Sequence, residues 1–351
     1  MLWSNADDAM LDWALETCRS ESEASSVLSK ELGRVVSLGS MRNRCRRRGI
    51  SSPTDTIAKF SAGRETPGQV SEVERAPAPE SGTPTADHAY VDVPTASHRL
   101  PPLDCGSRTL ERVLILPDTH APYHDAIAWG VAMEFARKYR PDTVVHLGDW
   151  LDAFTVSDHD KDPRRGTQLI DELTTCKHLR SEVDDLGAAR KIITLGNHED
   201  RLWRYCVRHA PALVSMLSIE NLLELPQHGW HVVPYRQHGS IGHLGLTHEA
   251  GFAGVHAVHH TGVAFASSVA FGHTHRLGSS YFGDIGGKRH VSASLGWLGS
   301  MPDASYEHEA KRLRYWTHGF GTAEVERNGN FHLNLHAIVD GRVVCGGEIC
   351  G

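Results

Sequence analysis

Apolar and polar positions alternate differently in three stretches of the chain. From residue 106 onward, short apolar runs alternate with longer amphipathic ones. Val113–Leu116 is a continuous apolar run and reads as a buried strand. Asp125–Tyr139 reads as a helix, Thr143–Leu147 as a strand, Leu169–Leu186 as a long amphipathic helix and Lys191–Leu195 as a strand. Arg201–Leu225 reads as mostly helical. Strands then follow at Trp230–Val233, Leu244–Thr247, Ser268–Phe271 and Lys288–Ser292, with strand-like segments from Gly319 onward. Alternating β and α first, then mostly β, predicts an α/β domain over 106–351 with two stacked sheets flanked by helices.

Residues 51–105 show neither period. They hold eight of the 16 prolines, with Ser, Thr, Ala and Glu between them. Such a segment buries too little apolar surface to offset its ordering entropy, so it reads as a flexible linker, with an extended packed arm at Ala89–Val93 as the other reading. Residues 1–50 carry a different pattern. Met10, Leu11, Ala14 and Leu15 mark one amphipathic helix. Ser20–Leu32 marks a second with Ser22 as its cap, and Ser37–Arg48 a third. Charge is polarised here: residues 32–50 carry six basic side chains and no acidic one, and Arg42, Arg44, Arg46, Arg47 and Arg48 all fall on the last helix. A small three-helix domain with a basic third helix resembles a helix-turn-helix or Myb-like DNA-binding module. The other reading is a solvated helix end whose cations complement its own dipole.

Composition narrows the class. The 351 residues suggest about two domains. Net charge is −7, so any nucleic-acid contact comes from a local patch. No apolar run approaches the roughly 18 residues of a membrane span, and the start lacks the layout of a signal peptide. Seven scattered cysteines without a Cys-x-x-Cys fit reduced thiols and a cytoplasmic location, with a Cys345–Cys350 pair as the less favoured reading. The 24 histidines raise the question of where they sit.

Five short motifs close predicted strands: Asp118-Thr-His120, Gly148-Asp149-Trp-Leu-Asp152, Gly196-Asn197-His198-Glu199-Asp200, Thr247-His248-Glu249 and Gly272-His273-Thr-His275. In open α/β sheets, functional groups collect beyond the carboxyl ends of strands. Carboxylate, amide oxygen and imidazole together suit Mn, Fe, Zn or Ni, and a carboxylate such as Asp149 can bridge two ions.

In this order the motifs resemble the calcineurin-like metallophosphoesterase superfamily, over about 110–340. The resemblance implies a four-layer α-β-β-α sandwich and two divalent ions, with Mn favoured. It implies that Asp118, His120, Asp149 and His275 hold one ion, and that Asp149, Asn197, His248 and His273 hold the other. His198 would stabilise or protonate the leaving oxygen, with Asp152 fixing its tautomer, and a metal-bridging hydroxide would attack phosphorus. The family usually has His-Gly where this chain has His248-Glu249. His243 is the competitor for that position, but His248 ends the apolar strand.

The resemblance also bears on substrate. Protein phosphatases of the superfamily carry arginines that clamp a dianionic monoester, where this chain has Asp152-Ala153-Phe154 and Leu195. Arg201 is the candidate substrate-binding arginine that compensates in part. The Gly-Asn-His-Glu-Asp-Arg and Gly-His-Thr-His-Arg blocks look most like phage or prophage metallophosphoesterases. These features imply a phosphodiesterase or nuclease acting on nucleic acid. The alternatives are a phosphomonoesterase acting on protein or nucleotide, and a non-catalytic DNA-binding regulator.

Overall fold

Side-chain alternation along the central strands sends successive residues into two different cores. Strands β1 (Ala96–Ser97), β2 (Leu110–Leu116), β3 (Thr143–His146), β4 (Arg190–Thr194) and β5 (Trp230–Val233) are followed by β6 (Gln237–Ile241), β7 (Leu244–Thr247) and β8 (Val269–Phe271). Then come β9 (Leu277–Gly283), β10 (Arg289–Leu295), β11 (Gly319–Glu326), β12 (Phe331–Ala337), β13 (Val343–Cys345) and β14 (Glu348–Cys350). Val113, Ile115, Val145 and Ile192 point into one core, which they share with Leu244, Leu246, Ala270 and Leu295. Their neighbours Leu114, Leu116, Val144 and Ile193 point the other way, into a core shared with Trp129, Met133, Phe135, Leu173 and Leu179. The first core lies between two sheets and the second between a sheet and its helices, which is the layering expected of two half-buried surfaces.

The computed structural model describes residues 94, 96–101, 109–158, 167–300 and 315–351, and residues 11, 12, 14, 15, 18, 21–31, 36, 41, 42, 44, 45 and 50 before them. Among these, one six-stranded sheet has the order β12-β11-β2-β3-β4-β5 and the other β1-β6-β7-β8-β10-β9. Strands β2 to β5 are parallel, and β11 joins antiparallel to β2. In the second sheet β8 pairs in parallel with both β7 and β10.

Helices α2 (Ala126–Tyr139), α3 (Leu169–Asp184), α4 (Glu199–His209) and the short α5 (Ile219–Leu222) follow the strands of the first sheet. The Asp125 carboxylate accepts the N–H groups of Ile127 and Ala128, satisfying donors that open α2. Helix α6 (Ala257–Phe265) packs on the second sheet. Its Gly262 lies so close that a Cβ there would stand 2.5 Å from the Phe282 ring.

Four expectations change. The Arg201–Leu225 helix is broken into α4, a 3-10 turn at Pro211–Leu213 and α5, because Pro211 lacks an N–H and cannot continue α4. Strands β6 and β9 appear where no strand was predicted. Helix α6 lies between predicted strands where no helix was expected, and carries His259 and His260 on its exposed side. Residues 96 and 97, inside the segment read as linker, pair in parallel with Gln237 and His238, and Leu100 packs against the inter-sheet core. The sheet edge offers unpaired backbone groups that this short strand satisfies. The rest of the 51–105 reading, including Ala89–Val93, lies outside the described residues apart from Pro94, His98, Arg99 and Pro101. Cys345 and Cys350 are both free. No described helix is long and apolar enough to cross a membrane.

The chain divides into two compact units, Met1–Pro84 and Thr85–Gly351. In the first, α1 (Glu21–Glu31) buries Ala24 and Leu28 with Leu11, Leu15, Val36, Met41 and Cys45. Arg42 and Arg44 are described, and Arg46, Arg47 and Arg48 lie outside the described residues, as does the side chain of Ser22.

Candidate metal centre

The five motifs begin where five strands end. Asp118 and His120 follow β2, Asp149 and Asp152 follow β3, and Asn197 and His198 follow β4. His248 follows β7, and His273 and His275 follow β8. Because β2, β3 and β4 run parallel side by side, as do β7 and β8, their carboxyl ends share one edge of the two sheets. Every residue expected at the centre is brought to this edge.

Tight loops let the ligand types converge. His120, Asp149, His273 and His275 all have left-handed backbones, with φ of 54°, 49°, 63° and 57°. Non-glycine residues adopt this region at a cost of about 1–3 kcal/mol each, a strain that concentrates at functional sites. Gly148 has φ 90°, and a Cβ there would lie 2.5 Å from the Thr194 carbonyl oxygen and 2.9 Å from His248 Nδ1. A larger residue would push β4 and His248 away from the Asp149 loop.

Three groups of donor atoms result, buried except for the half-buried His273, each with all its atoms within 4.8 Å of one another: Asp118–His120–His275, His120–Asp149–His198 and Asp149–His248–His273. His120 Nε2 lies 3.0 Å from His275 Nε2, and Asp118 Oδ2 lies 3.1 Å from the latter. Asn197 Oδ1 lies 3.0 Å from both His248 Nε2 and His273 Nδ1, and Asp149 Oδ2 lies 3.3 Å from His248 Nε2. His248, and not His243, occupies this position. Its Nδ1 lies 2.7 Å from the Leu147 carbonyl, which ties the two sheets together.

Charge follows from this packing. Burial pushes the His120 pKa down to about 3, helped by the nearby His198 and His275. Burial also lowers His273. These rings are therefore neutral and present lone pairs. Burial raises the carboxyls of Asp118 and Asp149, but the neighbouring imidazoles outweigh it and both sit below the usual carboxylate range. Anionic oxygens and imidazole nitrogens converging at these strand ends form a donor set that fits borderline divalent cations.

His198 precedes the first residue of α4 and stands at the edge of these groups. Its Nδ1 lies 2.9 Å from the Asp152 carbonyl and 3.0 Å from Asp152 Oδ1. Arg201 donates to the same two Asp152 oxygens, at 2.8 and 3.0 Å, and its second nitrogen lies 3.0 Å from His198 Nε2. Burial and the Arg201 charge disfavour a charged His198, but Asp149 and Asp152 together outweigh them, so its pKa is raised. Burial would raise Asp152, but the His198 hydrogen bond and charge hold it at about 2. Arg201, read from sequence as substrate-binding, is 8% exposed and spends its guanidinium on Asp152 and His198.

Three residues without a role in the sequence reading organise the site. The Glu199 carboxylate accepts the backbone N–H groups of Asp149, Trp150, Leu151 and Gly196 at 2.9, 2.8, 3.1 and 2.8 Å. It pins the Asp149 loop to the start of α4. His146 stacks on Trp150, accepts the Gly148 N–H at Nδ1 and lies 3.0 Å from Thr119 Oγ1. Burial holds its pKa near about 3. Glu249 Oε2 lies 3.4 Å from His273 Nε2, and the Tyr235 hydroxyl donates to its other oxygen. The departure from His-Gly at 248–249 was the available signal for Glu249; nothing local marked the other two. His124 packs against Trp129, away from the centre.

An open cavity of about 440 Å³ lies over the centre. Asp149, Asn197, His198, His273 and His275 form one side, with Ala253, Gly254, Thr274, Arg276 and Trp316 around them.

A family profile described as calcineurin-like phosphoesterase matches residues 111–277. The chain is 28% identical over 261 residues to the gene 54 proteins of Mycobacterium phages D29 and L5, covering 68% of this chain and 98% of each relative. Among solved structures, Vacuolar Protein Sorting 29 from Cryptosporidium parvum aligns over 68% of this chain and 96% of that chain, at 14% identity and a TM-score of 0.38.

Proposed function

Since residues 111–277 match a calcineurin-like phosphoesterase domain, of a superfamily of phosphate-ester hydrolases, we propose that the chain is a dinuclear-metal phosphodiesterase acting on nucleic acid. The observation that carries this reading is the position of Asp149. It contributes to one donor group with His248 and His273 and to another with His120, whose own group includes Asp118 and His275. On this reading Asp118, His120, Asp149 and His275 hold one ion, and Asp149, Asn197, His248 and His273 hold the other. When bound, two such ions supply Lewis acidity toward the phosphoryl oxygens and an activated water, with Mn²⁺ the first candidate.

The chain's own residues then divide the remaining work. His198 sits beside the cavity and stabilises or protonates the leaving oxygen. Asp152 fixes its far nitrogen, and Arg201 holds Asp152 in turn. With Arg201 turned onto Asp152, Arg276 is the one arginine or lysine lining the cavity among the described residues. A diester carries one charge fewer than a monoester and needs no paired arginine clamp, which favours the diester. The basic residues Arg42, Arg44, Arg46, Arg47 and Arg48 would hold the chain near nucleic acid and raise the local substrate concentration.

Turnover of bis-p-nitrophenyl phosphate and p-nitrophenyl phosphate in Mn²⁺, followed by single- and double-stranded DNA, tests the reading. The expected result is a diester preference that Asp149→Asn abolishes. A strong monoester preference would replace it with a phosphomonoesterase, and activity unchanged in Asp149→Asn would remove the metal mechanism.

A further inference from the structure

Arginines near the centre differ in what neutralises them. Arg201 faces Asp152, Arg204 faces Asp200 and Asp158, and Arg208 faces Asp158. Arg276 has no carboxylate within ion-pair distance among the described residues. Its guanidinium instead lies over the Tyr315 ring, 5.1 Å from the centroid, and its Nε is buried without a hydrogen-bond acceptor. A ring face orients a guanidinium without discharging it. A buried N–H lacking an acceptor is costly to keep, and a ligand at the cavity could supply the acceptor.

Arg276 also stands where a ligand would pass. It follows His275 directly and lines the cavity together with Trp316. Trp316 meets His275 edge-to-face at 4.3 Å and Trp297 at 4.7 Å, so two rings brace it at the cavity wall. A braced indole beside an uncompensated guanidinium is the pairing that receives a flat base and its phosphate. Base stacking on an aromatic side chain tolerates any sequence, and the guanidinium supplies the anion contact.

We propose that Arg276 and Trp316 form a nucleotide subsite at the mouth of the centre, with Arg276 binding a phosphate oxygen and Trp316 stacking the adjacent base. This rests on the phosphodiesterase reading above and adds the substrate class, a phosphodiester flanked by a planar base.

The test separates binding from turnover. Calorimetry measures binding of a phosphorothioate-linked dithymidine to the full Mn²⁺-loaded chain, to Arg276→Ala, Arg276→Lys, Trp316→Ala and Trp316→Phe. Metal content is measured on each, since Trp316 also packs on His275. The subsite predicts that affinity falls about tenfold or more in Arg276→Ala. Arg276→Lys recovers it in part. Trp316→Ala loses about as much, and Trp316→Phe recovers most of it. In parallel, hydrolysis of thymidine 5′-(p-nitrophenyl phosphate) is compared with methyl p-nitrophenyl phosphate. Trp316→Ala should raise KM for the thymidine ester only, and Arg276→Ala should raise it for both. Wild-type affinity in Arg276→Ala and Trp316→Ala at full metal content overturns the subsite. Binding lost as predicted, with no diester turnover by wild type, instead overturns the phosphodiesterase reading and leaves the subsite standing.

Discussion

Glu199 offers the sharpest energetic test of how the centre is held. Glu199→Gln keeps the shape of the side chain and turns one of its two acceptor oxygens into an NH2 group. Whichever way the amide lies, two backbone donors lose their acceptor. These are the N–H groups of Asp149 and Gly196 if Oε2 is replaced, or those of Trp150 and Leu151 if Oε1 is replaced. Each buried N–H left unsatisfied costs about 1–3 kcal/mol, which sums to about 2–6 kcal/mol for the pair. Against this, burial and the Asp149 charge raise the Glu199 pKa, so the native carboxylate is itself disfavoured and removing its charge returns part of the loss. The net expectation is about 2–4 kcal/mol of destabilisation. For a unit of this size the melting temperature then falls by roughly 5–12 °C. Scanning calorimetry of the full chain, with metal chelated so that ion binding does not mask the change, reads the shift directly. A transition within about 1 °C of wild type would refute the bracing role of this carboxylate.

Other consequences are open to measurement. His198→Ala should lower kcat for a diester by about 10²–10⁴-fold while metal content stays at the wild-type level, and a loss of metal instead would make His198 a ligand. Glu249→Gln weakens the partner of His273 Nε2 and should reduce metal affinity by about 10–100-fold, read by titration with a fluorescent chelator; unchanged affinity would leave Glu249 a surface contact. Replacing Arg42 and Arg44 by Ala should weaken DNA binding by the full chain at low salt and flatten its salt dependence, and equal mobility shifts for both chains would reject the basic helix as a DNA contact.

Much of this architecture was legible because strong local signals agreed with tertiary structure. The continuous apolar run at Val113–Leu116 and the strand at Thr143–His146 are buried on both faces, so no other environment suits them. Ligand types at strand ends were likewise readable, since parallel strands deliver their carboxyl ends to one edge. Strand β6, Gln237-His-Gly-Ser-Ile, has no apolar period, and it forms because β7 offers an antiparallel partner. Strand β9 is half-exposed and paired on one side by β10. Helix α6 carries a glycine and β-branched residues that disfavour helix locally, and close packing of Gly262 on Phe282 overrides them. Glu199 reaches the backbone of the Asp149 loop and His146 reaches the Thr119 hydroxyl, partners remote in sequence that no local pattern encodes. Arg201 showed the reverse failure. Its place near His198 suggested substrate contact, yet the fold turns it onto Asp152.

Two ions sharing Asp149 is the claim on which the chemistry depends. Plasma mass spectrometry of the full chain after equilibration with Mn²⁺ tests it most directly. The account predicts about two ions per wild-type chain, about one in Asp118→Asn and a loss at both positions in Asp149→Asn, following the bridging role of a carboxylate in two-metal sites. A single ion in the wild type, or two retained in Asp149→Asn, would contradict it.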